Sequence, residues 1–417
     1  MEKIWLKSYP PDVPATIDAS VFASIGDLFD KSVAKFRDKP AYTNMGASIT
    51  YGELDRLSAA FGAYLQKQLG LARGARIALM MPNVLQYPVC LFGALRAGYT
   101  VVNCNPLYTA RELEHQLRDA GVETIVIVEN FAHTLQHALP QTGIRHVIVT
   151  ALGDLLGFPK KQIVNLVVRH VKKMVPAWAL PGHLDLADVL SDGAGLALDK
   201  PVVTHDDIAF LQYTGGTTGV SKGAMLTHGN ILSNLEQAHA WIKPYLTEGG
   251  ELIVTALPLY HIFSLTANCL TFFKIGAQNL LITNPRDIPG FVKELGKYRF
   301  TVITGVNTLF NALLNHPDFA RLDFSRLRIA LGGGMAVQKV VAEKWRQVTG
   351  SSLIEAYGLT ETSPAVCINP LSLTAFNHAI GLPISSTEVS IRDDDGNEVD
   401  IGQPGELCVR GPQVMKG

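Results

Sequence analysis

A chain of 417 residues, at roughly 150 per domain, implies two or three packed units and excludes one small domain. With 47% of its residues in the AVILMFWYC set and 18% charged, it can bury a large core and lacks the composition of a disordered protein. Lys plus Arg (36) against Asp plus Glu (37) leaves a formal charge of −1, so no global field draws nucleic acid.

The five cysteines, Cys90, Cys104, Cys269, Cys367 and Cys408, are odd in number, far apart and without CxxC or Cys/His metal spacing. That usage fits a reducing, cytosolic compartment. No run approaches the roughly 18 consecutive apolar residues that span a bilayer, and the opening MEKIWLKSYPPDVP lacks the apolar region of a secretory signal. The most apolar stretch, Leu252 to Thr283, is interrupted by Pro258, His261, Asn268, Lys274 and Gln278, which suits a buried strand, helix, strand succession.

From Arg76 onward, short apolar runs alternate with helix-length segments: RIALMM, VLQYPVCLFGALRAG, TVVN, ARELEHQLRDAG, TIVIV and RHVIVT. This is a βαβ rhythm, and runs without strict alternation predict strands covered on both faces, as in a parallel sheet. Next comes PKKQIVNLVVRHVKKMVPAWALPG, with Ile163, Leu166, Val167, Val171 and Met174 at helical spacing. From Leu155 to Leu184 its charges are Lys160, Lys161, Arg169, Lys172 and Lys173, with no carboxylate. An ordinary surface helix packing its stripe on its own domain is the plainer reading; a membrane-surface helix over 159–176 is the other.

A second cycle begins after Asp206: IAFLQY, a helix near Gly229 to Ala240, ELIVTAL, a helix through Leu270, and QNLLIT. A helix near Ile288 to Tyr298, FTVIT, a helix at Thr308 to Leu314, LRIAL, and Val337 to Val348 follow. The tail TEVSIRDDDGNEVDIGQPGELCVRG carries turn signals at Asp395-Gly396 and Pro404-Gly405 and reads as the start of an antiparallel β unit. The expected organisation is α/β. It comprises a first βαβ-type subdomain (1–200), a second carrying a nucleotide site (201–383), and a small antiparallel β subdomain from 384 to 417. The β unit reaches Gly417 without a closing element, so a further segment is expected beyond it.

The strongest chemical signal is Tyr213-Thr-Gly-Gly-Thr-Thr-Gly-Val-Ser-Lys-Gly223, placed after a strand-like run and before a helix-like one. Gly215, Gly216, Gly219 and Gly223 let backbone amides approach an anion, Thr214, Thr217 and Thr218 offer hydroxyls, and Lys222 adds a mobile positive charge. It fails the Walker A pattern, since Ser221 precedes the lysine and Gly223 follows it. Taken alone, such a loop is a weak signal, and a flexible connector is the lesser reading. Two further constellations stand at strand ends, where open α/β sheets bind ligands: Gly332-Gly333-Gly334 after LRIAL and Tyr357-Gly-Leu-Thr-Glu361 after SSLIEA. A tyrosine can stack on a purine, glycines admit a flat base, and Glu361 can hold Mg²⁺ on triphosphate oxygens; each also fits a tight turn.

With LPLYH at 257 to 261, these motifs in this order resemble the adenylate-forming enzymes: acyl-CoA synthetases, luciferases and peptide-synthetase adenylation domains. Over essentially the whole chain, including ALMMPN, NPLYTARELEHQL, TNPRDIPG and ITGVNTLFNALLN, the sequence resembles bacterial long-chain fatty acyl-CoA synthetases. It departs from the common loop at Gly215, where many members have Ser, and at Ser221, where many have Pro.

The resemblance implies that a fatty acid carboxylate attacks the α-phosphorus of ATP, giving acyl-AMP and pyrophosphate, after which the CoA thiol displaces AMP. No enzyme nucleophile is required; the protein aligns and neutralises two anions. By the same resemblance the loop Tyr213, Thr214, Gly215, Gly216, Thr217, Thr218, Gly219, Val220, Ser221, Lys222, Gly223 and Ala224 cradles the phosphates. Glu361, with Thr214 or Thr217, holds Mg²⁺. Tyr357 and Gly332, Gly333 and Gly334 sandwich adenine, Gly358 and Thr360 belong to the same nucleotide site, and His261 orients the carboxylate, unless it is a hydrogen-bonded histidine at a strand end. The catalytic set is Lys222, His261 and Glu361.

A fatty chain needs a dry tunnel: at about 0.8 kcal/mol per methylene, about eight extra methylenes contribute about 6 kcal/mol before ordering costs. Candidate walls are Phe263, Leu265, Phe272, Val306, Leu309 and Phe310, all equally suited to plain core. From Leu252 to Arg286 there is no Asp or Glu, which disfavours an amino acid substrate. The family's Thr-Gly-Asp segment, hinge and small mobile domain are not found through Gly417, so the polypeptide is expected to be the large N-terminal portion of such an enzyme, turning over poorly alone. Full ligase rates in a pyrophosphate-release assay on these 417 residues would contradict that expectation. The alternatives are a non-catalytic acyl or nucleotide binding module, a ligase for another carboxylic acid, and a phosphotransferase that yields ADP. The expected location is cytoplasmic, with peripheral contact on the inner face of the cell membrane if the basic helix meets lipid; a homodimer stays open.

Overall fold

The computed structural model of the protein describes residues 2–215 and 220–417. Two large sheets form its frame. In the first, seven strands lie in the order Leu184–Asp185, His146–Thr150, Thr124–Val128, Arg76–Met80, Thr100–Asn103, Ile208–Thr214, Lys222–Thr227. All neighbours are parallel except the last pair. In the second, nine strands run Leu382–Pro383, Ala365–Ile368, Leu353–Gly358, Ile329–Gly332, Val302–Gly305, Leu252–Thr255, Gln278–Leu281, Pro40–Asn44, Ala47–Thr50. This sheet is parallel from Leu353–Gly358 to Pro40–Asn44 and antiparallel at its two edges. A two-stranded antiparallel ladder, Glu388–Arg392 with Glu406–Arg410, follows.

The apolar runs form strands because helices cover them on both faces. Thr124–Val128 is buried at all five positions, and the helix Gln86–Arg96 is buried along its whole length. That helix is wedged with Phe29, Phe61 and Phe273 in one core shared by both sheets. Asn83 ties the sheets together: its amide donates to the Thr255 and Leu257 carbonyls at 2.9 Å each, and its Oδ1 accepts from Leu259 N–H at 2.8 Å. Tyr87 adds a hydroxyl bond to the Leu259 carbonyl at 2.9 Å. The 255–260 turn is thereby fixed by residues nearly two hundred positions earlier.

Three features differ from the sequence expectations. The sheets do not divide at residue 200: Pro40–Asn44 and Ala47–Thr50 extend the second sheet, while Ile208–Thr214 and Lys222–Thr227 complete the first. Pairing of strands so distant in sequence leaves no local trace. The threonine and glycine loop does not lead into a helix; it closes a hairpin, with Tyr213 opposite Gly223 and Thr214 opposite Lys222. The helix His228–Ile242 starts only afterwards, at a capping box of Thr227 and Asn230. Third, most of the stripe between residues 159 and 176 is exposed to solvent, not packed on its own domain.

His228 anchors the start of that helix. It is buried, its Nδ1 accepts from Ile25 N–H at 3.2 Å, and burial lowers its pKa from 6.5 to about 4. Between those values the unfolded chain binds more protons than the folded one, so this contribution is complete above pH 6.5 and is lost as pH falls towards 4. The shift amounts to about 3 kcal/mol. Urea unfolding of His228→Asn should therefore show a shallower loss of stability between neutral pH and pH 4 than wild type; parallel curves would contradict the assignment.

Candidate functional site

The second sheet alternates with period two. Ile303 and Ala330 pack towards Phe310 and Trp345 on one face, while Val302, Thr304, Ile329 and Leu331 face the other way. On that other face lies a cavity of about 810 Å³. It is roofed by Asn234, Ala238 and Ile242, one i, i+4 stripe of the His228–Ile242 helix, and by Phe263, Ala267 and Phe272 of the segment 262–274. Its mouth collects Thr214, Gly215, His261, Gly333, Gly334, Tyr357, Gly358, Thr360 and Glu361. One continuous space thus joins the motif residues to an apolar interior.

The glycines are there for close approach. Gly334 has φ +75°, and a Cβ on Gly358 would sit 2.0 Å from the Pro364 carbonyl oxygen. The turn after Gly334 is pinned by Glu355, whose Oε1 accepts from Val337 N–H at 2.8 Å. Gly332 pairs with Glu355 on the adjacent strand, which brings the 332–334 turn beside Tyr357. Glu361 sits in the short turn Thr360–Thr362; its carbonyl accepts from Met415 N–H at 2.8 Å, and Lys416 N–H bonds the Met225 carbonyl at 3.0 Å. The chain after 414 therefore stitches Glu361 to the hairpin strand that begins with Lys222.

His261 caps the 262–274 helix. Its carbonyl accepts from Leu265 N–H at 3.0 Å, and its Nδ1 accepts from Phe263 N–H at 3.3 Å. An accepting Nδ1 puts the proton of the neutral ring on Nε2. Desolvation lowers the imidazole pKa below its ordinary value, so the neutral donor form prevails near pH 7. The positive end of the helix dipole lies at the same point.

Several residues of the expected cradle have other duties. The Tyr213 ring covers Gly223, where a Cβ would lie 2.9 Å away, and its hydroxyl donates to Asp119 at 2.5 Å, so the side chain leaves the cavity. Ser221 Oγ donates to the Thr214 carbonyl at 2.7 Å and His115 Nε2 donates to the Ser221 carbonyl at 2.9 Å, which closes the hairpin. Val220 and Lys222 are exposed, Ala224 is buried in the core, and Gly332 is buried behind the mouth. Gly216, Thr217, Thr218 and Gly219 lie outside the described residues.

Of the expected walls, Phe263 and Phe272 line the cavity. Leu265 is in the shared core, and Leu309 and Phe310 pack with Trp345 on the opposite face of the sheet; Val306 borders that cluster. The residues missed are Ala238, Ile242, Val302, Ile329 and Ile368. The i, i+4 spacing of Asn234, Ala238 and Ile242, with a small residue in its middle, was the available signal. Glu361 is the single acidic group on the lining among the described residues. These residues also hold no cluster of three or more His, Cys, Asp or Glu suited to a metal ion. One carboxylate and a hydroxyl suit Mg²⁺, which keeps water and substrate phosphates as most of its ligands.

The AMP-binding enzyme family profile matches residues 29–417. A long-chain-fatty-acid–CoA ligase of Escherichia coli O157:H7 is 58% identical over 417 residues, covering all of this chain and 74% of its own length. One of Bacillus subtilis (strain 168) is 34% identical over 418 residues, with 100% and 74% covered. Among solved structures, an anthranilate CoA ligase in complex with anthranoyl-AMP superposes with a TM-score of 0.82 at 20% identity, covering 96% of this chain and 72% of that one. A long-chain-fatty-acid-CoA ligase from Archaeoglobus fulgidus gives 0.78 at 23% identity, with 97% and 76% covered. At these identities the superpositions speak for the fold.

Proposed function

The chain belongs to the AMP-binding enzyme family, and on that premise we propose that it is a long-chain fatty acid–CoA ligase, forming acyl-AMP and pyrophosphate from ATP and then a thioester with CoA. The observation that carries this reading is the single cavity running from Glu361 and Thr214 at its mouth to Ile242, Phe272 and Ile329 inside. A fatty acid fits it with its carboxylate at the mouth and its chain in the dry interior, where each methylene withdrawn from water contributes about 0.8 kcal/mol. Among the described residues the lining holds no acid besides Glu361, which argues against an amino acid substrate, whose ammonium would stay unpaired.

The reacting groups are both anionic, so the protein's work is neutralisation and alignment. Lys222, across the hairpin from Thr214, balances phosphate charge. His261 donates a hydrogen bond from its Nε2–H to an oxygen of the carboxylate or of the α-phosphoryl group, keeps the proton and remains uncharged. Tyr357, beside the 332–334 turn, flanks the adenine. Glu361 and Thr214 would hold Mg²⁺, which when bound neutralises the polyphosphate. Pyrophosphate leaves as the carboxylate oxygen bonds to phosphorus; no residue is acylated or phosphorylated. CoA, the second cosubstrate, then accepts the acyl group.

Nucleotide analysis tests the reaction class. Incubation with ATP, Mg²⁺, palmitate and CoA is expected to give AMP and pyrophosphate; ADP would point to a phosphotransferase instead. The lowered pKa of His261 adds a pH prediction: the acid limb of acyl-AMP formation should fall below the ordinary histidine value of 6.5. His261→Asn, with no titrating ring, should lose that limb along with most of the rate.

No helix among the described residues is long and apolar enough to cross a membrane. The proposed substrate nevertheless partitions into bilayers, so the reading includes peripheral contact with the inner face of the cell membrane.

A further inference from the structure

The stretch around 158–174 is unusual for a surface. Phe158 is 87% exposed, Ile163 58%, Leu166 57%, Val171 67% and Met174 48%. The helix Lys160–Leu166 buries Asn165, and Val168 follows it into the core, so the fold has seated one edge and left the other bare. The spacing is maintained by a wide turn at Val167–Val171, where Lys172 N–H bonds the Val167 carbonyl five residues back at 2.8 Å. Met45, also exposed, joins the patch from the neighbouring hairpin, since Lys160 Nζ donates to the Gly46 carbonyl at 2.5 Å.

Charge surrounds this apolar edge with one sign. Lys161 pairs with Asp154 at 3.3 Å and Arg169 with Glu129 at 2.8 Å; both partners lie outside the stretch, so these bridges fasten the helix to the body. Lys172 and Lys173 have no ion-pair partner among the described residues. No carboxylate occurs between Leu155 and Leu184, although the whole chain is close to neutral. A protein partner buried here would have to satisfy bare lysines beside an apolar wedge. An anionic lipid surface does both at once, taking the apolar edge below its headgroups and the lysines at the phosphates.

We propose that Phe158, Ile163, Leu166, Val171 and Met174 form an in-plane anchor on bilayers containing anionic phospholipid. Resting on the ligase reading for its purpose, the anchor holds the enzyme where free long-chain acid is dissolved. Apolar insertion shares the binding with charge, because two of the five cations are already held in ion pairs.

Cosedimentation with vesicles tests this without any chemistry. The full chain should bind phosphatidylglycerol–phosphatidylethanolamine vesicles, bind phosphatidylcholine more weakly, and be loosened only in part by salt. The triple variant Ile163→Asp, Leu166→Asp, Val171→Asp should lose vesicle binding about ten-fold or more. Its unfolding midpoint and its activity on detergent-dispersed fatty acid should stay as wild type, because the three residues are exposed and far from the motifs in sequence. Its rate on vesicle-held acid should fall. Equal vesicle binding by the variant, or no binding by wild type, would overturn the proposal. So would a dimer that the variant dissociates while vesicle binding persists, which would make the patch a self-interface. Vesicle binding by a protein that yields no AMP would leave the anchor standing and remove the ligase reading.

Discussion

Lys222→Ala is expected to lower kcat/KM for acyl-AMP formation by about two to three orders of magnitude, the usual cost of losing one preorganised group that meets charge in a transition state. Lys222 begins the second strand of the hairpin, cross-strand from Thr214, and that strand is held by Ser221, His115 and the Met225 pairings with residues 416 and 417. Its position is therefore fixed even though its side chain is exposed. Glu361→Gln should cost a similar factor and raise the Mg²⁺ concentration needed for half-maximal rate, whereas Lys222→Ala should leave that requirement close to wild type. Neither change removes a buried contact, so unfolding midpoints should move little. Unchanged rates in both variants would remove the assigned roles.

The second large effect concerns chain length. Ala238 lies between Asn234 and Ile242 on the stripe that roofs the cavity. Ala238→Trp places a ring in open space, not in packed core, so it should shorten the tunnel with little strain. Denying about four methylenes their place would cost about 3 kcal/mol, or about two orders of magnitude in kcat/KM for palmitate, with octanoate nearly unaffected. Phe272→Ala should relax the tunnel and narrow the difference between palmitate and longer acids. Equal losses for octanoate and palmitate on Ala238→Trp would place the chain elsewhere. The same variants leave the mouth residues intact, so ATP binding serves as the control.

The residues that gather at the cavity mouth were more legible than the frame that carries them. Gly334, Gly358, Tyr357 and Glu361 could be singled out because backbone approach and a lone carboxylate leave a mark in short motifs. The strand Lys222–Thr227 was not read, because KGAMLT is short, lacks alternation and follows a segment that resembles the entry to a helix. The crossing of Pro40–Asn44 into the second sheet was invisible for a related reason: its partner, Gln278–Leu281, is more than two hundred residues away. Of the candidate walls, Leu309 and Phe310 turn out to face away from the cavity, since the sequence marks which residues alternate but not which face meets which helix. The stripe at Ile163 and Leu166 shows the same limit: periodicity reveals an amphipathic helix, and only the structure shows that its apolar edge is uncovered.

The central step of the proposed reaction is a carboxylate meeting the α-phosphorus of ATP at the mouth of the cavity of about 810 Å³. Palmitate labelled with oxygen-18 in its carboxyl group, turned over with ATP and CoA, tests this most directly by mass spectrometry of the products. One labelled oxygen in AMP and none in pyrophosphate is the expected result. Label recovered in inorganic phosphate alongside ADP, with unlabelled AMP, would contradict it.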